Sequence, residues 1–326
     1  LVVWVLFLAL ILVLLALDLG VFHRRAHVIG LREALRWSIL WTVVALVFGV
    51  VVYFLYDRHW FGMGLSGAEV LTGAQAATQY VVAYVVERSL SLDNLFVIAM
   101  IFRYFRLPQA LEHRALFWGI LGALVLRGAM IAMGVALIQR FEWMTYVFGA
   151  ILLWTALRLL RHGDEDPELE HNPVLRLARR FLRITPDYRG TDFVVRQNGQ
   201  MWVTPLVPLL LLVETSDVVF AVDSIPAVFG VTRDPFLVFT SNIFAILGLR
   251  ALFFLLSGFM DRFRYLKPSI VLVLGYVGVK MILAEFVHIS ALASLGIITV
   301  IMTAGVLVSV RAGDGRGAKP TGRDAP

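Results

Sequence analysis

Glu87, Arg88, Ser89, Leu90, Ser91, Leu92, Asp93 and Asn94 stand inside a run, residues 76–102, that is otherwise apolar enough to read as a membrane-spanning helix. An ionisable side chain near a bilayer centre costs about 2.5–3.5 kcal/mol on insertion scales, so acids placed there mark a functional site. The chain repeats the pattern. Asp217, Val218, Val219, Phe220, Ala221, Val222, Asp223 and Ser224 again give an acid, five residues, an aspartate and a small polar residue within an apolar run, residues 205–229. The two stretches are expected to meet, with the remainder as the scaffold that brings them together.

Composition fixes the kind of scaffold. With 326 residues, 60% hydrophobic and only 16% charged, and a mean hydropathy of +0.82, the chain reads as an all-α polytopic membrane protein. Apolar runs near 1–22, 38–56, 76–102, 115–138, 143–158, 205–229, 236–257, 268–286 and 291–310 predict about nine transmembrane helices, each close to the ~20 residues that cross a hydrocarbon core. Of 29 Lys and Arg, 22 fall in alternate gaps and in the tail, whereas the intervening gaps hold only Arg58, Arg140 and Arg233. The positive-inside rule then puts the N-terminus outside and the C-terminus in the cytoplasm of a bacterial inner membrane. The same distribution explains the net charge of +6, and no nucleic acid partner is expected. The absence of cysteine excludes a disulfide framework, a thiolate metal site and a thiol redox pair within these residues. Leu1 to Leu17 is expected to be a first span and not a signal peptide, since neither a basic flank nor a small-residue cleavage site accompanies it.

Segments after the two acidic stretches also correspond. Arg127 matches Arg250 at an offset of 123, Arg140-Phe141 matches Arg262-Phe263 at 122, and Val147 to Gly149 matches Val273 to Gly275 at 126, beside 130 for the acidic motifs. Residues 76–160 and 205–286 are therefore expected to be two copies of a three-helix unit. An odd helix count with a linker on one side forces the copies into opposite orientation, and inverted repeats carry sites at their interface near the midplane. Residues 1–75 form an N-terminal two-helix region, 161–204 a cytoplasmic linker, 287–310 a last transmembrane helix, and 311–326 a Gly-, Pro- and charge-rich tail expected to be disordered. In the linker, Asp164 to Glu168 reads as a solvated acidic run. Asn172-Pro173 should cap a short amphipathic helix, with Val174, Leu175, Leu177, Ala178, Phe181 and Leu182 opposite Arg176, Arg179, Arg180 and Arg183. Such a helix suits anionic lipid at the inner leaflet. Asn198-Gly199 between β-rich arms predicts a small β-hairpin.

On a 3.6-residue helix Glu87, Ser91 and Asn94 share one stripe, and Glu214, Asp217 and Ser224 share another. Asp93 and Asp223 lie about 120° away. Either the helices unwind locally, as Pro226 suggests, or these aspartates face Arg127, Arg250 or another helix. Carboxylate, amide and hydroxyl oxygens suit a hard divalent cation, whereas zinc or copper would want His or Cys. All seven His fall in loops or at span ends, and Met100, Met130 and Met133 read as packing. A structural reading has the acids merely pairing with Arg88, Arg127, Arg250 and Lys280, although buried ion pairs are a costly way to gain packing. Asp18 reads equally as a cap or a secondary ligand, Asn242 as a ligand or an interhelical hydrogen bond, and Glu285 and His288 as interfacial. A membrane-embedded aspartyl protease is a further reading, but the Gly-x-Gly-Asp signature is absent and no enzyme is expected.

These residues resemble the TerC family of integral membrane proteins, which includes the alkaline-inducible Alx-type members and belongs with the LysE-like exporters. The likeness rests on Glu87 to Phe96, His113 to Gly122, Thr204-Pro205, Glu214 to Pro226 and Phe239 to Arg250. It implies metal-ion efflux, with manganese as the best supported substrate. The tellurium-resistance name of the family records a phenotype, and a site made of acids suits a cation better than tellurite. The expectation is a secondary transporter exporting a divalent metal cation. Glu87, Asp93, Asp217 and Asp223 would be ligands or proton carriers, supported by Asn94, Glu214 and Ser224. Protons are the natural exchange partner, because carboxylates held away from water can trade a proton for a cation. No cofactor is expected, as no nucleotide-binding motif occurs, and the sequence carries no signal for an oligomeric state. The alternative class is a biogenesis or metalation scaffold whose working surface is the linker.

Overall fold

A computed structural model describes residues 2–22, 30–65, 70–141, 143–161, 172–197, 199–257, 266–284, 286–287 and 289–314. The helices, in order, are α1 (Val2–Phe22), α2 (Leu31–Asp57), α3 (Gly73–Tyr104), α4 (Gln109–Arg140), α5 (Met144–Arg161), α6 (Pro173–Phe181), α7 (Leu206–Phe229), α8 (Pro235–Leu247), α9 (Leu249–Ser257), α10 (Leu266–Ile282) and α11 (Ala291–Asp314), with strands β1 (Val194–Gln197) and β2 (Gln200–Val203) between α6 and α7. Every apolar run expected to span falls on a helix among the described residues, the seventh on α8 and α9 together. Five segments are long and apolar enough to cross a membrane: α2, α4, α5, α8 joined to α9, and α11. At 32 and 24 residues, α3 and α7 also exceed the ~20 needed, and what sets them apart is the charged residues they carry. Asp164 to Glu168, Asn198, Arg262 to Arg264, Glu285, His288 and the tail from residue 315 lie outside the described residues, as does the side chain of Asp18.

Local chemistry sets the helix starts. Thr72 and Gln75 form a reciprocal capping box on α3, the Gln75 amide donating to Thr72 Oγ1 at 3.3 Å and the Thr72 amide to Gln75 Oε1 at 3.0 Å. Asn172 and Asp234 cap α6 and α8, each followed by a proline at the first helical position, where its missing N–H costs nothing. Leu6, Leu12, Val125, Trp154 and Val300 are exposed on the outer faces of their helices, as an apolar belt in contact with lipid requires.

Inside, the packing is reciprocal. Helix α3 packs on α8 as α7 packs on α4, α3 and α7 meet directly, and α5 lies along α10. The α5–α10 contact is close because glycines face each other across it. A β-carbon on Gly278 would come within 3.1 Å of the Gly149 carbonyl oxygen, and one on Gly149 within 3.1 Å of the Gly278 carbonyl oxygen. Small residues at such crossings let helix backbones approach where no hydrophobic effect drives them together. On the other flank, Trp4 and Phe7 of α1, Phe48 of α2, Tyr80 of α3 and Phe236, Phe239 and Phe244 of α8 form one aromatic cluster. The Tyr80 hydroxyl donates to the Ala45 carbonyl at 3.1 Å, so its polar end is satisfied within that core.

One expectation needs correction. Local unwinding at the acids is not found, since α3 and α7 run without a break through both motifs and α7 accommodates Pro226 close to its C-terminal end. The break occurs instead at Gly248, between α8 and α9. There the Arg88 guanidinium lies where a β-carbon would stand, with Nη1 donating to the Ala245 carbonyl at 3.3 Å and Nη2 to Ser38 Oγ at 3.2 Å.

The linker is built onto the helix ends. Leu175 and Ala178 of α6 are buried against α7, while Leu177 and Phe181 stay exposed beside the arginines. The hairpin pairs Val194 with Val203 and Gln197 with Gln200, and Gly199 takes the positive φ of 74° that its tight turn demands. Phe193 packs edge-on against Trp118 of α4, and the Tyr188 hydroxyl donates to the Phe105 carbonyl at 3.0 Å. Burial pushes that hydroxyl up to about 12, so it remains a donor at any working pH. Replacing Gly278 by valine should force α5 and α10 apart and cost about 1–3 kcal/mol as an overpacked contact. A thermal melt of the detergent-solubilised protein measures this, and an unchanged midpoint would show that the helices are not in contact there.

Candidate functional site

The inward stripes of α3 and α7 meet at a residue of a third helix, Arg127 of α4. Its guanidinium is 1% exposed, Glu87 is 0% and Asp217 is 3%. Arg127 Nε donates to Asp217 Oδ1 at 3.2 Å and to Oδ2 at 3.0 Å, and Nη2 donates to Oδ1 at 2.8 Å. Nη1 donates to Glu87 Oε1. Asn94, one turn beyond Ser91 on α3, adds its amide to Asp217 Oδ1 at 2.8 Å. One fixed positive charge thus joins an acid from each acidic motif, in the fork geometry that suits guanidinium and carboxylate.

Beside this pair lies a cavity of about 60 Å³, lined by Glu87, Ser91, Arg127, Thr155, Asp223 and Ser224 together with apolar side chains of α3, α5, α7 and α10. Glu87 Oε2, Ser91 Oγ and Ser224 Oγ are buried with no hydrogen-bond partner in the structure. Asp223, off the α7 stripe, turns to α5, where Thr155 Oγ1 donates to its Oδ1 at 2.6 Å. A buried polar atom left unpaired costs roughly 1–3 kcal/mol, and three such atoms belong to residues that line this one cavity. Among the described residues no three acids or histidines converge into a ready-made cage. The donors mix carboxylate and hydroxyl oxygens, and no sulfur or imidazole lines the cavity.

The remaining expected residues fall elsewhere. Asp93 lies on α3, but its side chain is outside the described residues. Glu214 is half-buried away from the cavity, its carboxylate lying over Gly122 of α4 in the space a β-carbon would fill, with Oε2 unpaired. Asn242 is fully buried on α8 with both amide atoms unpaired, and it does not line the cavity. Of the four basic residues that a structural reading pairs with the acids, Arg127 does so. Arg88 is spent on α8 and Ser38, Lys280 donates to Ser294 Oγ at 3.0 Å, and Arg250 is buried outside the cavity lining. Sequence reasoning placed Ser91 on the polar stripe without counting it among the ligands, and left out Thr155. Thr155 was signalled only by being a hydroxyl inside the apolar run 143–158.

Residues 72–315, which hold both motifs and Arg127, match the family described as integral membrane protein TerC family. The chain belongs to the TerC family. An uncharacterized membrane protein of Myxococcus xanthus is 45% identical over 323 residues, covering 99% of this chain and 96% of its own. A protein of Salmonella typhi named "Putative membrane-bound redox modulator Alx" is 42% identical over 307 residues, covering 94% of this chain and 93% of its own. The protein of the same name from Escherichia coli K12 is 42% identical over 296 residues, with 90% of each chain covered. No solved structure shows significant similarity to the chain. The TerC match and the apolar helices make this a multi-pass membrane protein.

Because Glu214 fills the space over Gly122, Gly122→Ala should displace it. We expect Gly122→Ala to destabilise, and Glu214→Ala in the same chain to restore part of the loss, with a coupling of about 0.5–3 kcal/mol in a double-mutant cycle of thermal melts. Additive effects would separate the two residues.

Proposed function

We propose that this TerC protein is a secondary transporter of the bacterial inner membrane that exports a divalent cation, with manganese as its cargo, through the site between α3, α4 and α7. The observation that carries the reading is the set of unpaired buried oxygens, Glu87 Oε2, Ser91 Oγ and Ser224 Oγ, facing one cavity with Asp223. Oxygen donors of this kind suit Mg, Ca or Mn, and within that class the choice of manganese follows the family resemblance. The reciprocal packing of α3 on α8 and α7 on α4 is the pattern that a two-fold relation between residues 76–160 and 205–286 produces, and it supports inverted repeats within nine spans. The distribution of Lys and Arg supports an outside N-terminus and a cytoplasmic C-terminus. Exchange against protons fits carboxylates that lie out of water.

A scaffold role finds its best support in α6, where Leu177 and Phe181 are exposed beside Arg176, Arg179 and Arg180. That surface also fits anionic lipid. A redox role by thiol exchange lacks its chemistry, since the 326 residues contain no cysteine. Deleting α6 would strip Leu175 and Ala178 from α7, so the finer test of the scaffold is Leu177→Ser with Phe181→Ser, which leaves the buried face intact. For transport, the measurement is Mn²⁺ uptake into inside-out vesicles at matched expression. Wild type should accumulate the ion, Glu87→Gln and Asp217→Asn should each lose uptake, and the α6 double variant should keep it. If wild type moves no metal, or both acid variants move it normally, the transport reading fails. Loss of uptake in the α6 variant alone would favour the linker as the working surface.

A further inference from the structure

Arg127 holds the acids that a cargo ion would need. Glu87 and Asp217 are the first acids of the two motifs, matched at the 130-residue offset, and one guanidinium bridges them. We propose that Arg127 is a tethered stand-in for the transported cation, which compensates one of the two charges of the acid pair between cargoes so that the carrier can reorient without the metal. This deepens the transport reading and rests on it.

The geometry separates this role from a plain helix lock. A lock would be expected to satisfy both carboxylates, and here only Asp217 is fully engaged, by three guanidinium hydrogen bonds and the Asn94 amide. Glu87 is divided: Oε1 takes Arg127, whereas Oε2 is buried, unpaired and on the wall of the cavity. An ion reaching the cavity meets Glu87 Oε2, Asp223, Ser91 and Ser224 first, and competes with the guanidinium for the same carboxylate. Arg127 itself lines the cavity, so ion and guanidinium cannot sit there without mutual repulsion. Because a guanidinium stays charged under all working conditions, it gives way by moving and not by losing its charge. The cargo thus displaces the tether from Glu87, and the tether returns when the cargo leaves.

A carrier with such a tether needs it for the return step alone. Exchange of metal for metal never passes through the metal-free form, whereas net flux must, with any counter-transported proton carried by an acid outside the Arg127 pair, such as Asp223. The experiment compares both modes in inside-out vesicles at equal pH on the two sides: net downhill Mn²⁺ uptake, and exchange of labelled for unlabelled Mn²⁺ in preloaded vesicles. With Arg127→Gln, net uptake should fall by about a hundredfold or more and exchange by less than about tenfold, since uncompensated buried carboxylates penalise the ion-free form only. Arg127→Lys, which keeps a charge without the fork, should recover part of the net uptake. The proposal is overturned if Arg127→Gln loses both modes together, because the guanidinium is then structural, or retains both. It is likewise overturned if Arg127→Lys behaves as Arg127→Gln does. Absence of both modes in wild type would instead remove the transport reading itself, and this inference with it.

Discussion

A guanidinium buried among helices, with a carboxylate on either side, is the constraint on which the centre of this protein depends. Taking Arg127, Glu87 and Asp217 out of water is expensive for each of them, and that cost is offset only while all three stay in register. Register here means the relative height and rotation of α3, α4 and α7, because each contributes one member. The packing around the triad serves that end. Asn94 donates to the same Asp217 oxygen that the guanidinium holds, and Gly122 gives α4 the clearance it needs against α7 at Glu214.

The triad also explains why the site is lopsided. The two motifs are alike in sequence, yet a single arginine cannot serve both in the same way. Asp217 receives the fork, and Glu87 receives one arm. The half of the site that remains open is therefore the side of Glu87, Asp223 and Ser224, walled by α5 and α10. Of these, α5 also packs directly on α7, which puts Thr155 within reach of Asp223. A feature of helix packing thus decides the polar chemistry of the cavity wall.

Away from the centre, the same economy of hydrogen bonding governs the break at Gly248. Arg88 follows Glu87 directly in sequence, so consecutive side chains of one helix are sent to opposite tasks, one into the site and one to the carbonyl end of α8. The linker is tied into the fold at Tyr188, Phe193 and the buried face of α6, which leaves Leu177, Phe181 and their neighbouring arginines as its outward surface.

The sequence by itself determined the class of protein, the helical runs among the described residues apart from the break that divides α8 from α9, the capped amphipathic α6 and its hairpin, and the two acidic stripes that face inward. These are local matters: hydropathy over about 20 residues, a period of 3.6, and capping chemistry that acts within one turn. Helical periodicity could place Asp223 off the stripe of Asp217, but it left open whether the helix unwinds or the aspartate finds another partner. Only the tertiary structure decided that α7 stays intact and that Thr155 of α5 answers Asp223. It alone selected Arg127 from the four basic residues within the expected spans and moved Glu214 out of the cavity. The reason is physical: which charges meet depends on the rotation and depth of separate helices against one another, set by glycine contacts and buried ion pairs between residues far apart in the chain, 90 positions for Arg127 and Asp217, and no local pattern encodes those.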